Sequence, residues 1–190
     1  AELIAGGLNS QETDPEGLVS WFHTREPRLE LEIRELEPLS GYLSAYPESF
    51  IDRVVNLQPV WAPWYTLHKI FAGLQDMYIW CGNEQALEAA KKFADWTEAR
   101  MAKLSDEEMQ RMLGNEHGGM NETLANLYAL TGEKRYLDLS KRFNHMAVIG
   151  PASMREDRLT GLHANTQIPK FVGTARQYAL TGEAPLETAS

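Results

Sequence analysis

The sequence predicts an all-α fold of stacked helical hairpins, and three observations support this prediction. A repeat recurs along the chain, apolar residues within it follow helical spacing, and strand-like alternation is almost absent. The repeat is visible in LQDMYIWCG, LANLYALTG and TARQYALTG, whose tyrosines and glycines both advance by fifty residues. A period near fifty is typical of stacked supersecondary units. The landmarks are Tyr78, Tyr128 and Tyr178, with Gly82, Gly132 and Gly182.

Each repeat is predicted to form two helices. The glycine supplies the left-handed residue that commonly ends a helix, and a second helix follows it. Trp80 and Trp96 lie on these helices and are predicted to pack in the core. Ser105, with Glu108 three residues later, predicts a capping box that starts a further short helix. The apolar stripe of the first helix comprises Ile70, Phe71, Leu74, Met77 and Tyr78; that of the second comprises Leu87, Ala90, Phe93, Ala94 and Thr97, with Leu137, Phe143 and Met146 as counterparts in the next repeat.

Composition limits the partners of this chain. Its 190 residues suit one domain. The 18 basic and 27 acidic residues leave a net charge of −9, which argues against nucleic-acid and anionic-membrane partners. No window approaches the roughly 18 apolar residues of a transmembrane helix, and no signal peptide is visible at the N-terminus. We therefore expect a soluble protein, whose cellular location the sequence leaves open.

Three histidines stand near the start of the first helix in successive repeats. They lie 14, 15 and 19 residues before the repeat glycines, which predicts that all three point into one concavity. Neutral imidazoles hydrogen-bond well to sugar hydroxyls and also act as general bases or metal ligands. The alternative is that each one caps a helix or packs in a polar core. The three are His68, His117 and His163; His23 and His145 fall outside this spacing and are predicted to be structural or exposed.

Aromatic and acidic side chains accompany these histidines. Trp64 and Tyr65 lie just before His68, and aromatic rings of this kind suit the apolar face of a sugar, with core packing as the equal alternative. Glu116 and Glu122 flank the second histidine. They are candidates for the acid and base of glycoside hydrolysis, or for residues that favour a helix N-terminus through its dipole.

Four longer segments are more specific than any single residue. They are GYLSAYPESFIDR (41–53), WAPWYTLHKIFAGLQDMY (61–78), GNEHGGMNETLANLYALTGEKRYLDLSKRFNH (114–145) and DRLTGLHANTQIPKFVGTARQYALTGE (157–183). They closely resemble glycoside hydrolase family 127 and its relative, family 146. These families are bacterial β-L-arabinofuranosidases that act on plant-derived arabinosides.

The resemblance implies an (α/α)6 toroid as the catalytic domain and an L-arabinofuranoside as the carbohydrate partner. It also implies that the histidines of YTLHKI, NEHGGMNE and GLHANTQIPK belong to the sugar-binding subsite. An aromatic pair, an asparagine and a glutamate fall within or beside the same motifs. The candidate substrate-binding residues are therefore Trp64, Tyr65, His68, His117, Asn121, Glu122 and His163.

One part of the family pattern has no counterpart here. Family members resemble one another in a later segment that supplies a glutamate acid/base, a cysteine nucleophile and a cysteine-rich zinc site. Cys81 lies at a helix end and is not a candidate nucleophile, so we assign no catalytic or metal-binding residue and expect no cofactor in this chain. Six hairpins need roughly 300 residues. Residues 38–190 are thus interpreted as about half of a toroid, preceded by a poorly matching segment, 1–37.

The functional interpretation stays open between three classes. In the first, the chain is part of a glycoside hydrolase acting on β-L-arabinofuranosides, to which it supplies binding residues; the isolated chain then shows negligible hydrolysis. In the second, it is a non-catalytic helical-repeat module that binds sugars or a protein, with self-association through the open toroid edges. A sugar epimerase, which also uses histidines in an α/α toroid, is the third class. Whether this chain is itself an enzyme is not fixed by the sequence.

Overall fold

A computed structural model describes residues 41–58, 60–115 and 117–183. Within these ranges the chain forms eight helices and no strand, which confirms the all-α prediction. Residues 1–40, which include His23 and all of the segment 1–37, and residue Glu116 lie outside the described residues. The helices are α1 (Ser49–Val55), α2 (Pro63–Cys81), α3 (Glu84–Met101), α4 (Asp106–Met112), α5 (Met120–Thr131), α6 (Lys134–Arg142), α7 (Met146–Ser153) and α8 (Ala164–Thr181).

Two helical hairpins follow one another in the chain, α2 with α3 and α5 with α6. The repeat glycines Gly82, Gly132 and Gly182 end α2, α5 and α8 with φ angles of 65°, 73° and 70°. A side chain at such angles meets its own backbone, so glycine is favoured there. Asn83 then caps the N-terminus of α3, because its side chain accepts a hydrogen bond from the amide of Ala86 at 3.1 Å. The predicted hairpin turns are confirmed.

The first helices of the repeats lie side by side and run in the same direction. Between α2 and α5, Gln75 Nε2 donates to the carbonyl of Thr123 at 2.8 Å. Between α5 and α8, Arg176 Nε donates to Asn126 Oδ1 at 2.7 Å, a pair separated by fifty residues. Each of these contacts joins residues about fifty positions apart, which is the repeat length. Corresponding positions of α2, α5 and α8 therefore lie at the same height, so the three helices form one layer with all their N-termini at one end.

The second helices form another layer. Tyr136 Oη on α6 donates to Asp95 Oδ1 on α3 at 3.0 Å, and Arg142 Nη1 donates to the carbonyl of Met101 at 2.7 Å. Both pairs are separated by 41 residues, so α3 and α6 are also parallel to each other. The short helix α1 packs against α2 and α4, and α7 packs against α8. This two-layer arrangement places the long connections, and not the short turns, beside the N-termini of α2, α5 and α8.

Apolar side chains fill the space between the two layers. Phe71 of α2 stacks on Phe93 of α3 with ring centroids 4.3 Å apart and planes 1° apart. Trp96, predicted as a core residue, is buried beside them. The predicted stripe of α3 is confirmed: Ala90, Phe93, Ala94 and Thr97 are buried, and Leu87 is partly buried against the same core. The capping box of Ser105 and Glu108 at the start of α4 is confirmed as well.

Three predicted core residues are exposed instead. Trp80 is 80% exposed, and Met77 is also exposed. Residues advance by about 100° around a helix, so Trp80, nine residues after the buried Phe71, lies on the opposite side of α2. Met146 is exposed because α6 ends at Arg142; Met146 does not continue that helix but begins α7. Among the described residues, no helix combines the length and apolarity that crossing a membrane requires.

Candidate functional site

Two of the predicted histidines meet at the N-terminal end of the first layer. His68 lies in the second turn of α2 on its buried face, and His117 lies three residues before α5. Both side chains are buried, with exposed fractions of 3% and 1%. Gly118, the residue after His117, brings the two histidines together because its backbone packs directly against the His68 ring. A Cβ added at Gly118 would lie only 2.5 Å from His68 Cε1. We call the group formed by His68, His117 and the side chains around them the histidine site.

The backbone of Gly119 marks where three helices converge on this site. An added Cβ at Gly119 would lie 3.2 Å from Glu122 Oε2, 3.5 Å from His68 Cδ2 and 3.4 Å from Pro169 Cβ. These three side chains belong to α5, α2 and α8 respectively. The glycine pair therefore leaves room for an imidazole and a carboxylate to approach the same backbone segment. Any larger residue at Gly118 would displace the His68 ring.

Burial keeps both imidazoles neutral. It is the main reason why the pKa of His68 is lowered to about 4, with the nearby charge of Lys69 acting in the same direction. For His117, burial and then the charge of Lys170 lower the pKa to about 3. At neutral pH each ring therefore carries one proton and one bare nitrogen that accepts hydrogen bonds.

The neighbours of His117 fix which of its nitrogens is bare. Its Nδ1 lies 3.2 Å from the carbonyl oxygen of Asn115, which only accepts, so Nδ1 carries the proton. His117 Nε2 is then a buried acceptor, and it has no hydrogen-bond partner among the described residues. His68 Nδ1 is likewise buried and without a partner in the described ranges. Buried polar atoms normally have partners, so these two nitrogens keep hydrogen-bonding capacity, as do Trp64 Nε1 and Asn115 Oδ1. The backbone carbonyls of Trp64 and Tyr65 also lie near the His68 ring and act to raise its pKa.

The two predicted aromatic residues have different surroundings. Tyr65 is partly exposed, and its ring meets the His68 ring edge-on with centroids 5.0 Å apart. Trp64 is 1% exposed and packs against Phe143 with centroids 5.1 Å apart and planes at 72°. The structure thus places Tyr65 at the histidine site and Trp64 in the core behind it.

Glu122 and Asn121 are adjacent in sequence but face different surroundings. Glu122 is half-buried; burial raises the pKa of its carboxyl group, and the charges of Lys69 and Arg176 partly oppose that rise. Asn121 is fully buried between α5 and α8. Its Nδ2 donates to the carbonyl of Lys170 at 2.9 Å, and its Oδ1 accepts from the Glu122 amide at 3.0 Å. Asn121 therefore ties α5 to α8, while Glu122 lies beside the histidines.

His163 does not join the other two histidines. It is exposed and stands at the N-cap of α8. Since Pro169 lies level with Gly119, His163 is six residues further out, about 9 Å along the helix axis. The residue fifty positions after His117 is Gln167. The longer spacing of 19 residues before Gly182 accounts for this difference.

Two residues at the site were missed by the sequence analysis. The ring of His145 lies 5.5 Å from that of His117, and Lys170 Nζ lies 3.1 Å from His145 Nδ1. Lys170 is 2% exposed, which is unusual for lysine. Burial, and then the charge of Lys170, lower the pKa of His145 to about 4. The repeat contained a signal for Lys170. The equivalent residue fifty positions earlier is Met120, an apolar core residue, so the lysine occupies a position that the repeat buries.

The zinc site implied by the family resemblance does not fit the described residues. They contain no group of three or more histidine, cysteine, aspartate or glutamate side chains arranged to hold a metal ion. The single cysteine of the sequence, Cys81, is exposed at the C-terminal end of α2. It lies thirteen residues after His68, about 20 Å along the helix.

Comparison with known proteins gives one matching family and one partly aligned relative. The family model described as "Beta-L-arabinofuranosidase, GH127 catalytic domain" matches residues 28–190. The non-reducing end β-L-arabinofuranosidase of Bifidobacterium longum subsp. longum is 48% identical over 60 residues. That alignment covers 32% of this chain and 9% of the Bifidobacterium protein. The matched part therefore spans less than a tenth of that relative.

Proposed function

Since this chain belongs to the glycoside hydrolase family 127 catalytic domains, we propose that its histidine site binds the sugar ring of β-L-arabinofuranosides from plant-derived glycans. The single observation that carries the proposal is the pair of buried, unpartnered imidazole nitrogens, His68 Nδ1 and His117 Nε2. A neutral imidazole nitrogen in a buried site matches a hydroxyl group, which both donates and accepts, because neither group brings a charge that must be desolvated.

The side chains around this pair support a sugar as the ligand. Glu122 adds carboxylate oxygens next to His68, and carboxylates accept hydrogen bonds from hydroxyl groups. Tyr65 adds a partly exposed aromatic ring against the same imidazole. Acceptors combined with one aromatic surface suit a ring that carries hydroxyls on its edges and C–H groups on its faces. His163 and Trp64 lie apart from this pair and remain proposed sugar-binding residues, His163 for its place in the repeat and Trp64 for its aromatic ring beside His68, both supported by the family resemblance.

We assign substrate binding, and not bond cleavage, to these residues. Hydrolysis with retention needs an acid/base and a nucleophile about 5 Å apart across the scissile bond. Cys81 stands about 20 Å from the level of His68 along α2 and is no part of the histidine site. The described residues therefore support a binding surface to which other groups bring the reacting atoms.

Replacing His117 by alanine tests this assignment. Calorimetric titration of the 190-residue chain with methyl β-L-arabinofuranoside should show binding that weakens about tenfold or more in His117→Ala, since a buried acceptor is lost. Lys134→Ala, an exposed change on α6, is the matched control and should bind as the parent chain does. Circular dichroism establishes that both variants are folded. Equal binding of the D-enantiomer, or unchanged binding by His117→Ala, would refute the proposal.

A second candidate function is a helical-repeat module that associates with another copy of itself. One observation favours it: Ile168 and Val172 are exposed on the same side of α8, 60% and 45% respectively. They lie four residues apart and form an apolar strip at the edge of the first layer. Sedimentation velocity across a wide concentration range should show reversible dimers that Ile168→Lys abolishes. A strict monomer at every concentration would exclude this candidate.

A further inference from the structure

We propose that Lys170 is a positioning residue that fixes the tautomer of His145, so that this ring offers an Nε2–H donor and the neighbouring His117 ring offers a bare Nε2 acceptor. The ligand group that fits such a pair is a hydroxyl, which accepts one hydrogen bond and donates another. This inference deepens the proposed function and rests on it for the identity of the ligand. The tautomers themselves follow from the contacts of the two rings and from the burial that keeps His117 neutral.

The first step concerns His145. Lys170 Nζ lies 3.1 Å from His145 Nδ1 and 3.0 Å from Gln167 Oε1. An ammonium group only donates hydrogen bonds, so His145 Nδ1 must be the bare, accepting nitrogen. The single proton of the neutral ring then sits on Nε2. Lys170 thereby decides which nitrogen of His145 carries the proton.

The second step concerns the precision with which Lys170 is held. Its side chain is buried, and its own carbonyl accepts a hydrogen bond from Asn121 Nδ2 at 2.9 Å. The same Asn121 Nδ2 donates to Asn144 Oδ1 at 3.1 Å, one residue before His145. One asparagine therefore contacts both the backbone that carries the lysine and the residue next to the histidine. The packing of α5 against α8 therefore fixes the relative positions of Lys170 and His145.

The third step is the opposite tautomer of His117. Its Nδ1–H donates to the carbonyl of Asn115, which leaves Nε2 bare. The two rings lie 5.5 Å apart with planes at 51°. One ring thus supplies a donor and its neighbour an acceptor. A carboxylate would match only the donor and an ammonium only the acceptor, so the pair selects hydroxyl groups over either charged group.

Nitrogen-15 spectra of the histidine side chains test the tautomers without any ligand. In the full 190-residue chain at neutral pH, we expect His117 in the Nδ1–H form and His145 in the Nε2–H form. In Lys170→Met, which keeps an unbranched stem but removes the donor, His145 should become a mixture of tautomers while His117 is unchanged. Lys170→Arg should restore the Nε2–H form, and Lys134→Met should have no effect. His145 in the Nδ1–H form in the parent chain, which needs no variant to detect, would overturn the proposal.

Titration with methyl β-L-arabinofuranoside separates this inference from the proposed function. Lys170→Met should weaken binding by about five- to tenfold, the effect of one misdirected neutral hydrogen bond, and Lys170→Arg should recover part of it. If the parent chain shows the expected tautomers but does not bind the sugar, the hydroxyl-binding role is overturned and the tautomer assignment stands. If the sugar binds but Lys170→Met binds it equally well, the positioning role is overturned and the proposed function stands.

Discussion

Replacing Gly173 by alanine will lower the free energy of unfolding by about 3 kcal/mol, the upper part of the range for overpacking a core. Gly173 lies on the buried face of α8. An added Cβ would stand 2.2 Å from both Cγ and Oδ1 of Asn121 and 2.4 Å from its Nδ2. No side chain tolerates contacts this short, so either the asparagine or the helix must move.

Asn121 has little freedom to move away. Its amide group contacts Asn144 and the carbonyl of Lys170, and Asn144 in turn bonds to Gln177 at 2.8 Å. Gln177 Nε2 also donates to Ser140 Oγ at 2.7 Å. Displacing the asparagine would leave several of these buried groups without partners, at a cost of about 1–3 kcal/mol each. The substitution is therefore costly whether the side chain or the helix gives way.

Gly73→Ala is the matched control for this prediction. Gly73 is also a helical glycine, on α2, but it is exposed and an added Cβ meets nothing within 4 Å. Alanine there should stabilise the chain by about 0.5–1 kcal/mol through helix propensity. Urea unfolding of the two variants should thus give changes of opposite sign. A neutral or stabilising Gly173→Ala would contradict the packing of α5 against α8 described above.

Lowering the pH from about 7 to about 5 will destabilise the chain by about 4 kcal/mol through His68 and His117 alone, by proton linkage. Both pKa values, about 4 and about 3 in the folded chain, lie below the ordinary value of 6.5. Between pH 7 and pH 5 the two histidines therefore take up protons in the unfolded chain but stay neutral in the folded chain. The stability that the two neutral rings contribute is therefore complete above pH 6.5 and is lost as the pH falls. His145 acts in the same direction, whereas the raised pKa of Glu122 opposes it.

Urea unfolding at three pH values across this range measures the dependence. His68→Gln and His117→Gln should each remove about 2 kcal/mol of the loss, because glutamine does not titrate. Lys134→Gln, a change at an exposed side chain that does not titrate in this pH range, is the control and should leave the pH dependence as it is. If neither of the first two variants changes the pH dependence, the rings are not held neutral by burial.

Much of the scaffold was predictable because it follows from local rules. The glycines at the ends of α2, α5 and α8 have the left-handed backbone that the repeat implied. Helical spacing identified the buried stripe of α3, and the positions of Ser105 and Glu108 identified the start of α4. Helical spacing failed at Trp80, where the apolar side chain falls on the outer face of α2.

The histidine site was predictable only in part. His68 and His117 share a level because α2 and α5 keep the fifty-residue step, and His163 falls outside it because its connection is longer. The contact of His145 with Lys170 joins residues 25 positions apart through a buried ammonium group. No local pattern predicts that contact, because it depends on how α8 packs against the end of α6.

The position of Cys81 makes the chain suitable for labelling at a single site. Its thiol is exposed and is the only one in the sequence, so one fluorophore can be attached by thiol chemistry. The label would sit about 20 Å from the level of His68 along α2, next to the exposed indole of Trp80. Titration with a candidate sugar could then be followed by fluorescence anisotropy without any chemical change near the histidine site.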